Sequence, residues 1–391
     1  MKDALNLKPK SIMRMLKIAL VPALLCSILM GAQGYLQTRK RGTANKNSSA
    51  GTKKQLSLPD RIDQLVDAQV HKLGLPGYSL AVISGKATVI QKGYGFADAQ
   101  AETPVTPGTT FGIGAVTENF TAMALVMLVD DGKIKLDSPL HIYLPDTPSA
   151  WRKVTIRQLA SMTSGIPNDN NSSAPWAEEL KALKKQPLVS TPGGEYLQSE
   201  ASYRIIGNLI EKVSGQPYME FVRTRILSPL GMLETSPTDR AYVPPMAVPY
   251  TKNESGQVAP LPGYEKPEVG FSASMLASNT VDLAKYATAL MTHKLLSPTG
   301  YELLWKKRPP LPGGSRPGWA FGWGLETVSG HASVVMDGLA PGITSTIMIF
   351  PDDKLIVIGL SNIKALGAVD LTHRVASLAL GVDAGPVDDQ Q

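Results

Sequence analysis

The chain holds one cysteine in 391 residues, and that residue, Cys26, lies inside an apolar run near the N-terminus. No disulfide within the chain and no cysteine metal cluster can form. Histidine is scarce too: His71, His141, His293, His331 and His373 are scattered without the spacing of a metal motif, so no metal is expected. There is no glycine-rich phosphate loop or zinc signature, and no basic–aromatic stripe marks a nucleic-acid surface. No internal repeat is present, and nothing calls for a cofactor.

What is present is an ordinary globular composition, 43% hydrophobic and 18% charged. The formal charge of +6 at first suggests a polyanionic partner. Its distribution argues otherwise: residues 1–54 carry eleven Lys or Arg against Asp3 alone, a net of +10, which leaves −4 for the remainder. The basic character belongs to the tail.

In that tail Lys2, Lys8, Lys10, Arg14 and Lys17 precede an apolar run over residues 18–32. The pattern resembles a secretory signal peptide, with Ala32-Gln33-Gly34 as small residues for cleavage, and is short for a membrane span. Arg39, Lys40 and Arg41 follow closely, so an uncleaved anchor stays open beside cleavage. Either way the N-terminal segment is expected to engage membrane or secretion machinery, with the body exported to the periplasm or outside, or tethered to the membrane. Leu25 stands where a lipoprotein signal needs a small residue, so Cys26 reads as apolar filler. Residues 35–56 are polar and basic, a flexible linker. One large domain is expected over residues 57–382, with a short tail over 383–391.

Within the domain, apolar periodicity predicts a helix over 58–72 and a strand pair over 78–84 and 87–93. Three more strands are predicted over 333–336, 344–350 and 355–360, the last two joined at Pro351-Asp352-Asp353, and a closing helix over 366–380. Helices over 119–130, 154–162, 203–213 and 281–293 fill the middle. Strands at both chain ends with helices between them describe an α+β fold: an antiparallel sheet built from the two ends, flanked by helices, with a large helical subdomain inserted.

The most informative stretch is Phe111-Gly112-Ile113-Gly114-Ala115-Val116-Thr117-Glu118-Asn119-Phe120-Thr121-Ala122. It is followed by Asp130-Asp131-Gly132-Lys133-Ile134-Lys135-Leu136, by Thr155-Ile156-Arg157-Gln158-Leu159 and by Thr163-Ser164-Gly165-Ile166-Pro167. Pro192-Gly193, Tyr203, Gly207, Gly215, Pro229-Leu230-Gly231-Met232, Gly338, Pro341-Gly342 and Leu360-Ser361-Asn362 come next, in that order. Together these segments resemble the β-lactamase-related serine hydrolases (class C β-lactamases, penicillin-binding-protein-type DD-peptidases and related esterases) over residues 60–380.

The resemblance implies acyl transfer by a serine with a lysine three residues on, a tyrosine relay, and a third-motif lysine or histidine. Here those places read differently. Ala115 has no side-chain oxygen with which to form an acyl-enzyme, and Glu118 stands where the lysine belongs. Counting from Pro192-Gly193 puts Gln198-Ser199-Glu200 at the Tyr-x-Asn motif; counting back from Pro341-Gly342 puts Met336-Asp337-Gly338 at the third. Gln198 is no general base, and Met336 neither titrates nor donates. The lost lysine and the added Glu118 and Glu200 are expected to move the pocket about three charge units toward negative, two acids about 5 Å apart repelling by about 3 kcal/mol. One answer is for an acid to take up a proton.

Plainer readings stand beside these. Glu118 reads first as a glutamate in a helix's opening turn, Ser199 as a local hydrogen-bonding residue, and Ser164 as a turn residue. Ser361-Asn362-Ile363-Lys364 follows a strand and is coincidental, and His331 lies too far from Pro341-Gly342 to rescue the third motif. The expected function is a pseudoenzyme whose vestigial cleft, with Ala115, Ser199 and Gly338 as contact residues, takes a small-molecule or peptide ligand or a protein partner. The alternatives are a working esterase, amidase, β-lactamase or DD-peptidase with another nucleophile, and a structural periplasmic module.

Overall fold

The computed structural model describes residues 56–168, 174–238, 246–261, 270–305 and 318–382. The leader, the linker and the terminal tail expected above lie outside them. Among the described residues no helix is long and apolar enough to cross a membrane.

A seven-stranded sheet forms the frame. Its strands are β1 (Gly77–Ser84), β2 (Ala87–Asp98), β3 (Thr103–Pro104), β4 (Gly324–Val328), β5 (His331–Ala340), β6 (Ile343–Phe350) and β7 (Leu355–Ser361). They lie in the order β3-β2-β1-β7-β6-β5-β4, every pair antiparallel, so the first and last parts of the chain meet where β1 pairs with β7. The register there sets Tyr78 against Ser361 and Ser84 against Leu355. This is the expected α+β sheet built from both ends. The edge strand β4 escaped the pattern because residues 324–328 are half-exposed on an outer edge, where no apolar run is needed.

Alternation along the strands divides the interior into two cores. On one face Tyr78, Leu80, Val82, Val335, Met348, Phe350 and Val357 pack against helix α1 (Leu58–Leu73) and the C-terminal helix Leu366–Ala379. On the other face Ala81, Ile83, Val334, Met336, Ile347, Ile349, Ile356 and Ile358 join the core of the helical subdomain. Met336 therefore looks toward the helical subdomain. Asp337 looks to the other face, accepting a hydrogen bond from Thr346 Oγ1 at 2.6 Å.

The helical subdomain is organised around α2 (Thr117–Asp130), with α3 (Ile156–Ala160), α4 (Trp176–Leu183), α5 (Glu200–Ser214), α6 (Thr280–Met291) and α7 (Pro298–Trp305) around it; the C-terminal helix Leu366–Ala379 is α8. Every residue of α2 from Thr117 to Leu128 is buried. Phe120 stacks on Tyr286 of α6 at 4.2 Å between ring centroids. A helix apolar on all sides belongs in the centre of a large core. Helix α5 starts at Ser199, whose hydroxyl accepts from the Ser202 amide, and α6 starts at Asn279, whose side chain accepts from the Asp282 amide. Helix α3 carries a full capping box between Thr155 and Gln158.

The sheet and α8 meet most tightly at Gly359 on β7. A Cβ there would stand 2.2 Å from Thr372 Oγ1 and 2.3 Å from the Tyr78 hydroxyl, which themselves form a buried hydrogen bond of 2.8 Å. Gly359→Ala is expected to lower the unfolding free energy by about 1–3 kcal/mol, read by urea denaturation. An unchanged midpoint would mean that α8 is not seated this closely.

Candidate functional site

The first motif sits on a single tight turn, Gly114–Val116, that opens directly into α2. The turn is held from three sides. The Ile113 amide donates to the Leu276 carbonyl at 2.9 Å, the Leu276 amide donates to Thr117 Oγ1 at 3.1 Å, and Ser345 Oγ on β6 donates to the Ile113 carbonyl at 2.7 Å. Strand β5 approaches through Gly338: a Cβ there would lie 2.4 Å from the Ile113 carbonyl oxygen and from Ser345 Oγ, and 3.1 Å from the Ala115 amide nitrogen. Only glycine allows that approach. Gly338 and the Ala115 backbone are thus neighbours, and the methyl group of Ala115 is half-buried at the head of the helix.

Glu118 lies one turn inward and is 1% exposed. Its Oε2 finds no hydrogen-bond partner, and its pKa lies well above the ordinary 4.5. Burial is the main cause, the Glu200 carboxylate adds to it, and Arg204 opposes it. A first-turn glutamate that gains from the helix dipole must be ionised. Here burial outweighs the dipole and favours the protonated form. Beside it Asn119 Nδ2 donates to the Gly322 carbonyl, and the Gly322 amide donates to the Tyr203 hydroxyl at 2.6 Å. That hydroxyl donates in turn to the Ala160 carbonyl at 2.9 Å, tying α2, α3, α5 and the 319–323 segment together.

At the second motif the three residues part ways. Gln198 is exposed. Ser199 is buried: its hydroxyl caps α5 and receives the Ser202 hydroxyl at 3.2 Å. Ser164 completes this small polar cluster, 3.2 Å from Ser202 Oγ and accepting from the Ile166 amide. Glu200 turns to Arg204 one helical turn on, accepting from Nη2 at 3.0 Å. Arg204 Nη1 donates to Glu179 on α4, both side chains being almost wholly buried, and its guanidinium lies over the Trp176 ring at 5.8 Å.

This network corrects the expected charge balance. The excess of negative charge is relieved, because Arg204 supplies a buried cation from α5 and burial favours the protonated form of Glu118. The signal was available: Glu200 and Arg204 are spaced i, i+4 just after a cap residue, the geometry of an intrahelical ion pair.

Motif counting also passed over Tyr196. Its ring is 6.3 Å from that of Trp319, which meets Tyr203 edge-on at 6.5 Å, and its hydroxyl is 3.7 Å from Met162 Sδ. Its pKa is pushed up to about 12 by burial and then by Glu118, so the phenol stays protonated near that acid. An aromatic residue two places before the expected relay, beside a Pro-Gly turn, was the available cue. Met336 is buried on β5. His331, at the far end of β5, pairs with Asp353 at 2.8 Å and takes no part. Among the described residues no group of three or more His, Cys, Asp or Glu is placed to hold a metal ion.

A family model described as Beta-lactamase matches residues 62–380. The chain belongs to the beta-lactamase family. It is 30% identical over 339 residues to the unguisins hydrolase of Aspergillus campestris, covering 78% of this chain but 62% of that protein, so it spans less than two thirds of the relative's length. It is 26% identical to the putative penicillin-binding protein PbpX of Bacillus subtilis, over 84% of this chain and 80% of the relative. Among solved structures, the octameric penicillin-binding protein homologue of Pyrococcus abyssi superposes with a TM-score of 0.73 at 26% identity, covering 83% of this chain and 78% of the other. The D-amino acid amidase of Ochrobactrum anthropi shares the fold, with a TM-score of 0.74 at 23% identity over 83% and 99% of the two chains.

Two outcomes test the buried charges. A carboxyl whose folded-state pKa lies above its unfolded value gives its full stability below about pH 4.5 and loses it as pH rises toward the folded value. Glu118→Gln should therefore melt close to the parent at pH 4 and above it at pH 8; parallel pH profiles would show that Glu118 is not a buried acid. Arg204→Met removes the cation beside the buried Glu179 carboxylate and should cost about 3–5 kcal/mol in urea denaturation, part of it recovered when Glu179→Leu is added.

Proposed function

We propose that this member of the beta-lactamase family does not catalyse acyl transfer, and that its old cleft serves to bind a small molecule, a peptide or a partner protein. The carrying observation is the head of α2. A methyl group stands there, half-buried, and behind it lies a buried acid with an oxygen unpartnered among the described residues, its pKa raised by that burial. Covalent catalysis needs a nucleophile and a base within hydrogen-bond reach of it. Ala115 offers no nucleophile, and burial pushes Glu118 away from the ionised form that a base would need. Gln198, exposed, and Met336, buried among apolar groups, add none. What remains usable is the Ala115 backbone beside Gly338, the half-exposed Glu200 carboxylate, and the aromatic wall of Tyr196 and Trp319. The wall suits an apolar group and the backbone a polar one, the mixture that ligand pockets use.

Export, or attachment to a membrane through the N-terminal segment, belongs to the same proposal. It rests on the basic stretch followed by the apolar run over residues 18–32.

The related hydrolase and amidase are enzymes by name, so the test must be able to find activity. The full chain is incubated with a chromogenic cephalosporin, a p-nitrophenyl ester and a fluorescent penicillin, and analysed by intact-mass spectrometry. No turnover above a denatured control and no adduct are expected; a covalent adduct on any serine or threonine overturns the reading. The restored set Ala115→Ser, Glu118→Lys, Gln198→Tyr, Glu200→Asn and Met336→His, combined with Arg204→Met and Glu179→Leu to remove the competing charges, is expected to gain ester hydrolysis. A folded but silent restored protein would count against the motif assignments.

A further inference from the structure

A second cavity lies in the helical subdomain, away from the head of α2. Its volume is about 460 Å³, within the range of small-molecule sites. One part of its wall is apolar, made by Leu140, Leu144, Leu180 and Ile205. Trp151 lines it as well, 1% exposed, and its indole N–H has no acceptor. An indole nitrogen only donates, and a buried donor without a partner is costly.

The rest of the wall is polar. Lys184, directly after α4, and Lys212, in the last turn of α5, both line the cavity, with Asn208 one turn from Lys212. Among the described residues neither ammonium, Lys212 exposed and Lys184 half-buried, has an ion-pair or side-chain hydrogen-bond partner. Asp146, exposed, also lines the cavity, which leaves one net positive charge. Thr147 is already engaged, its hydroxyl donating to the Leu144 carbonyl. Ile205, Asn208 and Lys212 lie at i, i+3 and i+7, one face of α5. Glu179, Glu200 and Arg204 are not among the residues that line this cavity.

We propose that this cavity is a binding site for an amphipathic monoanion, an apolar chain or ring bearing one carboxylate. The apolar wall takes the chain, Lys184 and Lys212 flank the carboxylate, and the Asn208 amide and the Trp151 indole N–H supply neutral donors. Two ammonium groups on adjacent helices, set at the rim of an apolar cavity against the one carboxylate of Asp146, are the feature that selects an anion over a cation or a neutral lipid.

The probe is decanoate, below the concentration at which it forms micelles, titrated into the full chain by isothermal titration calorimetry. One-to-one binding is expected, with no binding of acetate, which lacks the chain, or of decyltrimethylammonium, which reverses the charge. The surface double variant Lys184→Gln/Lys212→Gln should weaken decanoate at least tenfold. Asn208→Trp, which fills the cavity from a half-buried position, should abolish binding. Ala115→Ser should leave the affinity unchanged, which separates this site from the α2 cleft. Absence of binding, equal binding of decyltrimethylammonium, undiminished binding by either folded cavity variant, or loss on Ala115→Ser would each overturn the proposal.

Discussion

Everything at the centre of this molecule depends on α2 being enclosed on every side. Twelve consecutive residues, Thr117 to Leu128, are out of contact with water, and the helix begins without a side-chain cap. A polar or ionisable group in its first turn must therefore find a partner inside the protein or give up its charge. Asn119 takes the first course, bonding to the Gly322 carbonyl, and burial pushes Glu118 toward the second. The contacts that hold the turn before α2, from β6, from residue 276 and from the close approach of β5 at Gly338, keep this arrangement registered with the sheet.

The same enclosure explains the ion network on α5. A cation on α2 is what the family resemblance implies; here the buried positive charge is Arg204, presented from the neighbouring helix and shared between Glu179 and Glu200. Glu200 is partly open to solvent while Glu179 is not, so the pairing with Glu179 is the one that the interior cannot dispense with. The ion pair ties α4 to α5, and at the head of α2 burial favours the uncharged form of Glu118.

Much of the frame was legible because strands buried along their whole length as short apolar runs, and helices with a continuous apolar stripe, leave strong marks. The strand over 355–360, the helix over 58–72 and the order of elements follow directly from those marks. Strand β2 runs on to Asp98, beyond the predicted 93, because its half-exposed alternating residues blur the end of the pattern. Helices α4 and α7, eight residues each, were too short to register as periodic. At the site, single-residue identities such as Ala115 and Met336 could be read by counting. The direction a side chain takes could not. Ser199 turns inward to cap a helix while Gln198 beside it faces solvent, and Tyr196, outside the counted positions, is the residue that comes near Glu118.

With Arg204 held between Glu179 and Glu200, a lysine placed at 118 would meet a like charge in a medium that screens little. The same guanidinium opposes the upward push that burial exerts on the Glu118 carboxyl. A change that drew it away from α5 would therefore be felt at the head of α2, where two helices answer to one charge.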